Sequence, residues 1–246
     1  MRGDGPGAVR STCPVTASDY PGRVRLLAID TSTSAITVAV HDGDRVLDRE
    51  SVLDPRGHAE HLAPAVARVL ARLELPPYRI THVVGGTGPG PFTGLRVGLM
   101  TAIAFGYAVG APVGGLCSLD ALAERVGQDA AADQALWPPD EFVVATDARR
   151  KEVYWARYRR EEGPIGSGYA RVSGPHVSRP GDLPGPLAEL PVAGRGGLLY
   201  PAAFGPAWDV LDVDAADLAG LAVRVLAARG QLPVSYTHLR AHETDS

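Results

Sequence analysis

Lysine is almost missing from this 246-residue chain: Lys151 is the single one, and every other basic side chain apart from histidine is arginine. Alanine, glycine and proline are abundant, so the imbalance reads as GC-rich coding rather than a device for holding polyanions. Net charge is −4 at pH 7, which excludes a global basic field. Contact with nucleic acid would need a local patch or a partner's surface. Cysteine is scarce too. Cys13 and Cys117 lie far apart, which argues against a disulfide scaffold and a metal-knuckle spacing and points to a reducing compartment, the cytoplasm. Residues 1–24 lack the apolar stretch of a signal peptide and read as a disordered extension or as the product of a start codon placed too early. What is present is 45% hydrophobic and 21% charged residues, a balance that excludes wholesale disorder and can bury a real core.

One run without charge, 97–119, is long enough to cross a bilayer. Gly110, Pro112, Gly114 and Gly115 interrupt it, so it reads as a buried helix followed by a short strand, with no membrane partner.

Along the chain, 23–30 is a leucine-rich strand ending at an aspartate. Ile36, Val38 and Val40 alternate in a second strand, and His41-Asp42-Gly43-Asp44 turns the chain into a third, 45–53. In 59–73, Leu62, Val66, Val69, Leu70 and Leu73 form one helical stripe. A strand at 81–85, an apolar helix at 93–109, a strand at 112–116 and a helix at 119–126 capped by Ser118 follow. Strands are expected at 142–146, 153–158 and 190–193, and a last helix at 214–229. Residues 161–190 show little periodicity. Three strands, a helix, a strand and a helix are the signature half of the actin/sugar-kinase/Hsp70-like (ASKHA) α/β architecture. The expected division is a first lobe at 25–112, a reduced second lobe at 113–213, a helix at 214–232 returning to the first lobe, and an atypical tail at 233–246.

Four features could carry chemistry. Asp30-Thr31-Ser32-Thr33 sits at a strand end, where ATPases of this architecture hold metal and phosphate with hard oxygens and free amides. A hairpin turn with a capping aspartate is the plainer reading. Gly88-Pro89-Gly90-Pro91-Phe92-Thr93-Gly94-Leu95-Arg96 allows close backbone approach before a helix N-terminus, but no lysine follows, which excludes a P-loop. His58 and His61, three apart, could share a metal; the spacing is not HExxH and no third ligand is near. Arg149, Arg150 and Lys151 in the turn after Asp147 could meet RNA phosphates or an acidic partner, or form a solvated hairpin tip. Cys117 lies in an apolar run and reads as inert packing.

The segments LLAIDTSTSAITVAV, RGHAEHLAPAV, GTGPGPFTGLRVGLMTAIAFG and ATDARRKEVYWARY, in this order, resemble the TsaB family, once grouped with glycoproteases and also called YeaZ. The resemblance spans about Arg25 to Leu232. Pro91 stands where the family more often has serine, and 235–246 departs from the family's usual ending. The resemblance implies a non-catalytic dimerisation subunit, a degenerate relative of the threonylcarbamoyltransferase TsaD. It implies a heterodimer with TsaD, recruitment of the small ATPase TsaE, and contact with tRNA through the complex. It also implies a possible homodimer when the chain is alone. That complex makes threonylcarbamoyladenosine beside the anticodon of ANN-decoding tRNAs. No cofactor of its own is expected, ATP being used by the assembled complex, and Asp30, Thr31, Ser32 and Thr33 would be vestigial nucleotide-site residues. Gly194-Arg195-Gly196-Gly197 is faintly similar to an adenosine-binding loop, while a second acid-glycine phosphate motif is not evident. Helix 93–109 is apolar on more than one face and needs two covers. The sheet can cover only one side, so a partner is expected on the other, and the resemblance implies that it meets this helix in a helical bundle, centred on Leu95, Leu99 and Ile103, with Leu62 and Val66 contributing. Two alternatives remain on the residues: an ATP-dependent small-molecule kinase of the same fold, and a metalloprotease built on His58 and His61.

Overall fold

The computed structural model describes residues 24–55, 57–132, 139–161 and 168–233. The N-terminal extension expected at 1–24 falls almost entirely outside these, as do Cys13 and nearly all of the tail expected at 233–246.

β1 (Leu26–Asp30), β2 (Ala35–His41) and β3 (Val46–Leu53) form an antiparallel meander. β4 (His82–Gly86) joins β1 in parallel and β5 (Val113–Leu116) joins β4, giving the order β3-β2-β1-β4-β5. α1 (His58–Arg72) and α2 (Phe92–Val109) are the crossovers. They cover one face of the sheet, where Leu27, Ile29, Ile36 and Val38 meet Leu62, Val66 and Val69. α3 (Ser118–Ala132) and α5 (Ala215–Arg229) cover the other face around Leu26, Ala28 and Ala39. Covered on both sides, β1 and β2 are buried along their whole length, which is why their sequences are nearly continuous apolar runs.

A second sheet has the order β8-β7-β6-β9, from β6 (Glu141–Asp147), β7 (Val153–Arg160), β8 (Tyr169–Ser178) and β9 (Val192–Ala193). Phe142, Val144, Ala156 and Tyr158 join the α3/α5 core, so α3 links the two sheets. α4 (Arg195–Leu199) is a single short helix against β6.

Two expectations are corrected. The aperiodic stretch 161–190 contains a ten-residue strand, β8. It lies at the sheet edge with no fully buried residue, so backbone pairing with β7 holds it and no alternation of apolar residues is demanded. The helix expected at 119–126 runs on to Ala132, carried past Gly127 by the Arg125–Asp129 pair at 2.8 Å and by Ala130 packing.

The helix α5 lies on β1 and β2. Its start is capped by the Asp214 carboxylate, which accepts the Ala216 N–H at 2.8 Å, and its end by Gly230 at φ 72°. Beyond it, Leu232 fills the space that a side chain on Gly114 would need, and the Pro233 carbonyl accepts the Gly115 N–H at 2.9 Å. The chain thus returns to the β5 edge of the first sheet.

Candidate functional site

Asp30 ends β1 at the point where the β1–β2 turn, the glycine-rich run and the start of α3 converge. Its Oδ1 accepts the Ser32 N–H and the Ser32 hydroxyl, both at 2.7 Å. Its Oδ2 accepts the Ser118 hydroxyl at 2.5 Å. Ser118 Oγ in turn accepts the Gly88 N–H at 3.1 Å, and the Ser118 N–H donates to the Gly88 carbonyl at 2.8 Å. The carboxyl is 1% exposed. Burial raises its pKa, against the pull of the hydroxyls of Ser118 and Ser32.

The glycine-rich run is spent on the same junction. A Cβ on Gly86 would collide with the Asp30 carboxylate, and one on Gly90 with the Ser32 backbone. Thr31 donates its hydroxyl to the Gly94 carbonyl at 2.7 Å, and a side chain on Gly98 would strike the Thr31 hydroxyl. The glycines therefore seat α2 on the β1–β2 turn. Two motifs that the sequence offered separately lie together, bound to each other.

Between the turn and the second sheet is a narrow cleft lined by Ser32, Thr33, Ser34, Pro91, Thr146, Asp147, Arg149, Arg195 and Leu211. Its accessible volume is about 10 Å³, room for one water rather than a nucleotide. Arg195 is held on one wall by Asp212 through two bonds of 2.8 and 2.7 Å, while the buried Thr146 hydroxyl has no hydrogen-bond partner among the described residues. Gly194 to Gly197 form no open loop: Gly194, at φ 96°, and Gly196 press on the backbone and side chain of Ala145 at the start of α4.

The two histidines part company. His58 Nε2 lies 3.3 Å from the Thr33 carbonyl, whereas His61 Nε2 lies 3.1 Å from Asp54 Oδ2. Among the described residues, no three His, Cys, Asp or Glu side chains converge on a metal position. Cys117 is clamped from outside by Arg171, whose Nη1 donates to Sγ at 3.3 Å, and burial pushes its thiol up to about 12. It is a thiol, not a thiolate, near neutrality.

The expected interface residues need correction. Leu62 and Val66 lie in the core under the sheet, and Leu95 and Leu99 point at Gly88 and Gly85 of the β4–α2 segment. These leucines share a face with Gly94, Gly98 and Gly106, where the helix must come close to the sheet, so they turn inward. Ile103 is half-buried. The outward face instead carries Phe92 (45% exposed), Met100 (60%) and Tyr107 (90%), with the Arg96 guanidinium 4.9 Å above the Phe92 ring. Residues 92, 96, 100 and 107 follow helical spacing, a signal present in the sequence. Ser118 was also missed, since a helix cap and a carboxylate partner look alike in sequence.

An α/β protein of the actin/sugar-kinase/Hsp70-like class, with its strand-end acid tied up by its own chain, is what this geometry defines. The family model for tRNA N6-adenosine threonylcarbamoyltransferase (TsaD) matches residues 53–185. An uncharacterised protein of Mycobacterium leprae is 45% identical over 174 residues, 69% of this chain and 42% of that one. The tRNA threonylcarbamoyladenosine biosynthesis protein TsaB of Escherichia coli is 37% identical over 147 residues, 59% of either chain. The structure of YeaZ from Pseudomonas aeruginosa superposes with a TM-score of 0.69 at 28% identity, covering 86% of this chain and 99% of that one. The chain belongs to the TsaB family. It spans less than half the length of the M. leprae relative and about three fifths of the E. coli one.

Proposed function

We propose that this chain takes part in threonylcarbamoyladenosine formation on tRNA as a non-catalytic, cytoplasmic subunit that docks on the catalytic threonylcarbamoyltransferase TsaD. The small ATPase TsaE joins the assembly, ATP is used by the complex, and the modified adenosine is the one beside the anticodon of ANN-decoding tRNAs. The observation that carries the reading is the outward stripe of α2: Phe92, Met100 and Tyr107 project from a helix whose opposite face is already packed. Exposed apolar side chains in helical register on an otherwise covered element fit a helix of another subunit. The closed Asp30 junction supports the non-catalytic role, because both carboxylate oxygens accept bonds from the chain itself.

Co-expression with TsaD from the same host tests this. The expected result is a heterodimer on size exclusion, lost in Met100→Glu with Tyr107→Glu, and modification of a tRNA transcript only when TsaD and TsaE are both added. ATP turnover by the purified chain that disappears in Asp30→Ala would overturn the reading.

A further inference from the structure

The β6–β7 turn is built in a way its length does not require. Arg149, Arg150 and Lys151 are three successive residues in the left-handed region, at φ 65°, 48° and 63°. Side chains other than glycine, asparagine and aspartate adopt that conformation at a cost, and here three long cationic ones do so in a row. The tip is nevertheless fixed: Glu152 N–H donates to the Arg149 carbonyl at 2.8 Å, Ala148 N–H to the Glu152 carbonyl at 3.0 Å, and Asp147 Oδ1 accepts the Arg149 N–H at 2.8 Å. Glycine would make this turn with less strain, so the side chains themselves are what the turn retains.

Two of these charges, on Arg150 and Lys151, are also free of ion pairs among the described residues. Arg49, Arg68, Arg72, Arg125, Arg195 and Arg224 each meet a carboxylate. At the tip, Arg149 reaches Asp147 only at 3.8 Å, and Arg150 and Lys151, both exposed, have no ion pair among the described residues. Exposed Arg179 directly follows Ser178, the β8 residue paired with Val153, so it stands at the same end of the second sheet as Arg149, Arg150 and Lys151, with Asp147 and Glu152 the acids of that turn. In a chain of net charge −4, such a patch is the local exception that polyanion contact would need.

We infer that the rigid Arg149-Arg150-Lys151 tip is a docking surface for the phosphate backbone of structured RNA. Exposed cations fixed at neighbour spacing, two of them without an ion pair among the described residues, suit a regular row of phosphates and release their counterions on contact. This inference rests on the tRNA-modification reading for the identity of the RNA.

The test uses the assembled complex and an unmodified tRNA transcript with an ANN anticodon. Two double variants are compared with the parent: Arg150→Glu with Lys151→Glu, and Arg150→Gly with Lys151→Gly. The second removes the charge while easing the turn. Both should assemble normally, and the glycine pair should melt no lower than the parent. Both should bind the transcript at least about tenfold more weakly at low salt, and log affinity should fall less steeply with log salt, by about 1.5 in slope for two lost contacts. Unchanged affinity and slope would overturn the inference. So would loss of assembly in the glutamate pair with RNA binding otherwise intact, which would make the tip a contact for an acidic protein surface. Failure of the parent chain to enter a complex, read before RNA is added, removes the functional reading instead. The same variants titrated as isolated chains then decide the surface alone: equal binding by parent and variants overturns it.

Discussion

Ser118 and Asp30, 88 positions apart, share a 2.5 Å hydrogen bond that ties the first strand to the helix linking the two sheets. The bond turns a strand-end acid, the residue type that holds metal in ATPases of this architecture, into a strut between three chain segments. Around it every contact is internal, so its loss is expected to be felt as instability.

Asp30→Ala should therefore destabilise the fold by about 2–4 kcal/mol, because the Ser32 and Ser118 donors are left buried without an acceptor. Ser118→Ala should cost about 1–3 kcal/mol on the same grounds. Urea denaturation of each variant measures both, and midpoints equal to the parent's would contradict the strut.

The two faces of α2 should separate cleanly. Leu99 is 3% exposed, so Leu99→Ala should lose about 2–5 kcal/mol of stability and Leu99→Arg should prevent folding. Met100→Glu and Tyr107→Glu lie on the outward face and should leave the melting temperature within a few degrees of the parent's. Circular dichroism melts of the purified chain distinguish the two sets. A folded Leu99→Arg protein would mean that α2 sits differently.

Gly98→Val should be among the most damaging of the small substitutions. Its side chain would meet the Thr31 hydroxyl and push α2 off the β1–β2 turn, breaking the Thr31–Gly94 bond of 2.7 Å. A loss on the order of 2–4 kcal/mol is expected from overpacking and the broken bond together. Thr31→Ala with Gly98→Ala, which removes the hydroxyl that is struck, should recover part of it, as denaturation midpoints would reveal.

Asp217, in the first turn of α5, is buried beside Asp214 and Glu124, with Arg125 4.0 Å away. Burial first, then the charge of Asp214, raises its pKa from 3.8 to about 7. A carboxyl that binds its proton more tightly when folded favours the native state fully below its unfolded pKa. That contribution is lost as pH climbs toward 7 and is gone above it. Asp217→Asn removes the loss, so its stability relative to the parent should rise between pH 4 and 7, by roughly 2–4 kcal/mol, and then level off. Paired urea curves across that range give the difference directly, and a flat difference would assign the burial cost elsewhere.

The architecture was largely legible because both faces of the first sheet are covered. That makes β1 and β2 unbroken apolar runs, while the stripe of α1 and the Asp42-Gly43 turn mark their neighbours at short range. β8 was not legible, since an edge strand with no buried residue is selected by its pairing to β7 and leaves no pattern of its own. The candidate site divides in the same way. Its parts, Asp30, the Ser32 turn and the glycines from Gly86 to Gly98, are local signals and could be read from the residues alone. Whether they open toward a ligand or close on one another depends on Ser118, which lies far along the chain and is brought to Asp30 by the pairing of β1 with β4 and of β4 with β5. The outward face of α2 was decided late as well. The sequence shows a helix apolar all round, and only the approach of Gly94, Gly98 and Gly106 to the sheet turns Leu95 and Leu99 inward and leaves Met100 and Tyr107 outside. Sequence determines these elements through local periodicity and backbone preference. Which side chains remain free is fixed by close packing between segments distant in the chain, and that is a property of the tertiary structure.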